Sequence, residues 1–139
     1  MVYTYDISVE VQASVPGSAN PLTVVNAQVL DPTSNTFVSV EVVPATQRWY
    51  IYDVYTRTSS DVAVDGQLVF IKNNVKVLFR TPPLSALIVT NPSRPAIPVM
   101  EFAPNDRLNI QLVTLASNSS TSAVNDIAFF RARVIDYSL

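Results

Sequence analysis

The amino-acid sequence predicts an all-β fold, with antiparallel strands folded into a two-sheet β-sandwich or a barrel. Three observations carry that expectation. Apolar and polar residues alternate strictly from Tyr3 to Ala13, the pattern of a strand with one dry and one wet face. Turn-forming residues recur at intervals of roughly eight to twelve residues, the spacing of short strands in a sandwich. No stretch of helix length repeats its apolar positions with a period of 3.6 residues, so helix content should be small.

Taken in order, Tyr3, Tyr5, Ile7, Val9, Val11 and Ala13 share one face of the first strand, and Pro16-Gly17 ends it with a turn. A second strand is expected over Leu22–Leu30, closed by Asp31-Pro32. A third is expected over Thr36–Val43, with Val38, Val40 and Val42 on one face and Pro44 as its stop. Arg48–Thr58 is the most aromatic stretch and has apolar groups on both faces, as in a strand deep in a sandwich or one covered by a partner. Gly66–Lys72 and Val75–Arg80 flank Asn73-Asn74, and paired Asn residues tolerate the positive φ of a two-residue hairpin. Thr81–Pro98 holds five prolines and reads as a long stiff excursion over the surface. Strands resume at Val99–Phe102 and Arg107–Ala116, joined by Pro104-Asn105-Asp106, which suits a type I turn. Leu108, Ile110, Leu112 and Thr114 form one face there. Ser117–Asn125 is a polar loop, and a last strand runs over Asp126–Tyr137. Eight or nine strands result, in one expected domain over residues 1–139, with no internal repeat.

Composition narrows the function more than any motif does. The 139 residues include no His and no Cys. That removes Ser-His-Asp and Cys-His catalysis, disulfides, and the commonest ligands of transition metals. Charged residues make up 14% of the chain, against roughly 25% in an average soluble domain. Like-charge repulsion is then weak, which suits either a subunit packed against others or a monomer with a neutral polar coat. Lys and Arg are scattered singly and the net charge is −2, so nothing supports a nucleic-acid partner. Asp6 and Glu10 disfavour a signal peptide at the N-terminus, and no run reaches the roughly 18 apolar residues of a membrane span. Ten prolines accompany two glycines. Either a hot environment selects proline-stiffened loops, or Asn replaces Gly at positive-φ positions.

Few residues invite a chemical reading. Asp53 and Glu101 stand between apolar neighbours, where a carboxyl can be held protonated, but pairing with an Arg such as Arg57, Arg80 or Arg131 explains them as well. Asp61 and Asp65 bracket a turn without the further oxygen ligands of a calcium loop. Asn118-Ser119-Ser120 matches a glycosylation sequon. No catalytic, cofactor or metal site is assigned. The interface or ligand-contact candidates are Arg48, Trp49, Tyr50, Tyr52, Tyr55 and Arg57, because Trp, Tyr and Arg dominate interface hot spots. Aromatic rows also stack sugar rings. Trp49 and Ile51 point opposite to Tyr50 and Tyr52, so one of the two faces is core.

The order of these features resembles that of the single jelly-roll coat, vertex and spike domains of icosahedral DNA viruses, including those of archaea and thermophilic bacteria. The likeness runs from Val38 to Ala116 and rests on Val43-Pro44-Ala45-Thr46 before the aromatic strand, the Asn73-Asn74 hairpin, the proline-rich crossover, and Ala103-Pro104-Asn105-Asp106-Arg107-Leu108. The strand-opening turn in that group is often Pro-Gly-Asp; here Asn105 takes the middle place. The resemblance implies an eight-stranded jelly roll and a non-enzymatic subunit of the virion. Its partners would be further copies of itself, other virion proteins and host surface glycans. Two other readings stay open: a carbohydrate-binding module using Trp49 and the tyrosines, and a filament subunit that lends its N-terminal strand to a neighbour.

Overall fold

In the computed structural model, residues 1–57, 62–88 and 97–138 are described. Their strands, in chain order, are β1 (Tyr3–Val15), β2 (Val24–Asn26), β3 (Gln28–Leu30), β4 (Phe37–Val38), β5 (Val40–Val42), β6 (Gln47–Thr56), β7 (Gly66–Lys72), β8 (Lys76–Arg80), β9 (Met100–Phe102), β10 (Arg107–Thr114) and β11 (Val124–Asp136). One sheet has the order β4-β3-β1-β11-β6-β9 and the other β2-β10-β7-β8, with β5 also paired to β10. Every pairing is antiparallel.

β2 and β5 lie end to end along one side of β10. Val24–Asn26 sit against Val113–Gln111, the Ala27 amide donates to the Ile110 carbonyl at 2.9 Å, and Val40–Val42 sit against Asn109–Arg107. With these two pieces taken as one strand, β1-β11-β6-β9 faces β2/β5-β10-β7-β8. That interleaving of two Greek keys is a jelly roll. Between the two pieces the chain leaves the second sheet, adds β3 and β4 to the far side of β1, and returns.

This excursion corrects the expected strands Leu22–Leu30 and Thr36–Val43. Each is split between the two sheets, the first at Ala27, which is fully buried and small enough to pass between them. The expected valine face fails for the same reason. Glu41 is aligned with Leu108, an inward residue of β10, so Glu41 and Val43 are buried while Val42 is 44% exposed. Cross-strand register overrides the local apolar pattern.

The core confirms most other faces. Leu108, Ile110, Leu112 and Thr114 are all buried. Phe130 of the first sheet meets Phe70 of the second edge-on at 6.3 Å and lies 6.5 Å from Trp49. β1 is buried on its inward face from Val9 to Val15, but Tyr3 and Tyr5 overhang the core and are exposed.

Turns account for the scarce glycine. Asn73 and Asn74 both have positive φ, 55° and 59°, as a tight hairpin turn needs, but Lys72 pairs with Lys76, so the loop runs over residues 73–75 and not over the two residues expected. Asn35 and Asn105 also sit in the left-handed region, so Asn does replace Gly there. Asn105, with φ 67° and a 3.0 Å bond from the Asp106 amide to the Ala103 carbonyl, makes the turn type II rather than the expected type I. Gly17 is required for closeness instead: a Cβ there would lie 2.3 Å from the Thr121 carbonyl oxygen.

The proline-rich excursion and the Ser/Asn loop are partly tied down. In Thr81–Pro98 the described part forms a 3₁₀ turn, Leu84–Leu87, that buries Leu84 and Leu87; residues 89–96 lie outside the described residues. In the Ser/Asn loop, Asn118 is buried, donates to the Pro16 and Ser122 carbonyls at 2.9 and 3.3 Å, and accepts from the Ser120 amide. The sequon asparagine is thus a structural clasp.

Candidate interaction surfaces

β6 carries all the aromatic candidates, and a bulge decides which way they point. Ile51 pairs with Ala132 and Asp53 with Arg131, leaving Tyr52 as the extra residue. A bulge shifts the alternation by one residue. Trp49 and Ile51 therefore face inward before it, Val54 and Thr56 after it, while Tyr50, Tyr52, Asp53 and Tyr55 remain partly exposed on the outer side. The two-faced apolar character of this strand is that phase change.

Trp49 leaves the surface set. It is 1% exposed, its Nε1 donates to Gln47 Oε1 at 2.9 Å, and it packs on Phe130. The other candidates lie on the outer face of the first sheet. Arg48 pairs with Glu101 on β9, and Tyr55 stacks on Phe129 at 5.5 Å with its hydroxyl 2.9 Å from Ser8 Oγ. The Arg131 guanidinium lies 5.7 Å from the centre of the Tyr52 ring, a cation–π contact. Arg133 reaches Asp6 at 3.1 Å. Tyr50, Tyr52, Val99 and Arg133 line a shallow depression of about 290 Å³. Arg57 is exposed at the margin. This face is a tiled surface of rings and paired charges.

The outer face of the second sheet differs in kind, and residue-type reasoning missed it. Cross-strand register places Val24 beside Val113, Asn26 beside Gln111, Val40 beside Asn109, and Ile71 between Asn109 and Val77. Val24 and Val77 are 54% and 55% exposed. Arg80 and Arg107 are the charges placed on this face by that register, and no acid is among its described residues. The signal was present in sequence as the half of the β10 alternation opposite Leu108, Ile110 and Leu112.

The carboxylates have structural roles. Asp65 accepts from the amides of Gly66 and Ser85 and from Ser85 Oγ; Asp61 lies outside the described residues. Glu101 has its ion pair, and Asp53 stands across from Arg131. Glu41 was overlooked, although Val40 and Val42 flank it as apolar groups flank Asp53. Among the described residues, no group of three or more His, Cys, Asp or Glu is placed to hold a metal ion.

The two interleaved Greek keys place the chain in the class of jelly-roll β-sandwich proteins, with the outer faces of both sheets open on hydrogen-bonded strands. The family model for Sulfolobus polyhedral virus 1 major capsid protein VP4 matches residues 1–139, and the chain belongs to that family. It is also similar to capsid protein VP4 of Sulfolobus polyhedral virus 1, with 26% identity over 144 residues that cover 98% of this chain and 79% of that protein.

Proposed function

We propose that the chain is a structural, non-enzymatic subunit of a virus particle that assembles by packing its outer sheet faces against neighbouring copies and other virion proteins. The observation that carries this reading is the outer face of the second sheet. It is a continuous field of Val, Ile, Asn and Gln on hydrogen-bonded strands, with cations at its margins. Covering such a surface desolvates no acid, its amides can hydrogen-bond to a partner, and its Val and Ile side chains gain roughly 25 cal/mol per Å² of apolar area. The first sheet's outer face supplies rings and paired charges that specify a partner more than they drive burial. Residence in the virion follows from the same role.

The test is the mass of the purified chain by size-exclusion chromatography with light scattering. Oligomers are expected at high concentration, and a clean monomer would count against assembly through these faces. A second reading has the depression at Tyr50, Tyr52 and Arg133 as its support: partly exposed rings beside a cation suit a glycan on a host surface. Glycan-array binding that is lost in Tyr52→Ala while the fold is kept would favour it.

A further inference from the structure

Two acids are buried among the described residues, Glu41 and Asp126. Asp126 has a structural use, accepting from the amides of Ala63 and Val64 at 2.7 and 3.0 Å. Glu41 has no comparable role. It is 2% exposed, and its Oε2 has no hydrogen-bond partner among the described residues. A buried carboxylate in that position loses its hydration without replacement, so its neutral form is favoured.

Its surroundings give the charge no relief. The cross-strand partner on β10 is Leu108, fully buried, and the inward residue of β3 is the buried Val29. One strand further along the same row, Lys72 of β7 is committed elsewhere, to Asp106 Oδ2 at 3.3 Å and the Glu101 carbonyl at 3.0 Å. From the β3–β4 turn the charge acting on Glu41 is Asp31, an anion, whose Oδ1 accepts the Thr33 amide at 2.8 Å and the Ser34 amide at 3.4 Å. Burial first, and the Asp31 charge second, push the Glu41 carboxyl up to about 7.

The segment around it is lightly held. β3 shares two register pairs with β1, β4 shares two with β3, and β5 shares three with β10, whereas β1 and β11 are paired over their full lengths. Short, edge-lying elements open at lower free energy than central ones. We propose that Glu41 is a proton-controlled latch: neutral, it lets the excursion Gln28–Val42 close the sandwich edge over β1, and ionised, it loosens that excursion and uncovers the β1 edge. The sign follows from linkage. The open or unfolded segment ionises near the ordinary value of 4.5, whereas the closed one keeps its proton to about 7. Closing therefore takes up a proton. Its advantage is full below 4.5, shrinks as pH rises through that window, and stays at its minimum above it. A bared β1 edge is a surface on which another strand can pair.

The experiment is backbone hydrogen exchange on the full chain at pH 5.5 and pH 8, with rates divided by their intrinsic values and β11 as the internal reference. In the wild type, residues 28–42 should lose about tenfold or more protection at the higher pH relative to β11. Glu41→Gln should abolish the difference. Asp31→Asn, at an exposed-to-half-buried turn, should shrink it and move it to lower pH; this variant decides the matter if Glu41→Gln does not fold. Equal protection at the two pH values in the wild type, or a pH response undiminished in Asp31→Asn, would overturn the proposal.

Discussion

Trp49 shows how much a single side chain's direction can hide from a sequence. Its type and its aromatic neighbours made it an interface candidate, but its neighbour Gln47 accepts the indole N–H and Phe130 covers the ring. Trp49→Ala should cost about 3–5 kcal/mol in chemical denaturation. Tyr52→Ala, on the outer side of the bulge, should cost about 1 kcal/mol or less, chiefly its contact with Arg131. Equal costs would mean that the two faces of β6 had been misassigned. Leu22 offers a test of the opposite sign. It holds φ at 68° with 73% of its surface exposed, a conformation costly to a branched side chain and cheap for Asn. Leu22→Asn should raise stability by up to about 1 kcal/mol in the same assay.

At the scale of elements, β1 separates two roles for the N-terminal strand. It is paired with β11 from Tyr3 to Val15 and carries β3 on its other side, so it sits inside its own sheet. Deleting residues up to Val15 should abolish the cooperative unfolding transition seen by circular dichroism; a truncated chain that still folds would make β1 a strand available for exchange. The long elements were legible because alternation, punctuated by Pro and Asn, is a local signal. β7 matches its expected limits at Gly66 and Lys72, and the Asn73-Asn74 hairpin has the expected dihedrals. The excursion through β3 and β4 was not legible. Strands of two or three residues carry too little alternation to mark a sheet, and the switch at Ala27 is decided by partners more than eighty residues away on β10.

For the whole molecule, the missing His and Cys and the sparse charge pointed to contact as the function, and membership of a capsid protein family agrees with that reading. What the residue types did not reveal is the surface we propose for contact. Aromatic and Arg residues drew attention to the first sheet, where Arg48 is paired with Glu101 and Arg133 with Asp6. The second sheet's outer face is built from residues that look unremarkable one at a time, and it emerges only when register sets Val24, Val113, Ile71 and Val77 side by side. Val77 stands on the edge strand β8 of that face, and a charge introduced there would lose its hydration when the face is covered, which is costly. The most direct test of contact as the function is light scattering of Val77→Glu beside the wild type, with circular dichroism to confirm the fold. The wild type should be oligomeric and Val77→Glu should fall to the monomer mass with its strands intact. A monomeric wild type, or a folded Val77→Glu that assembles as well as the wild type, would contradict the account.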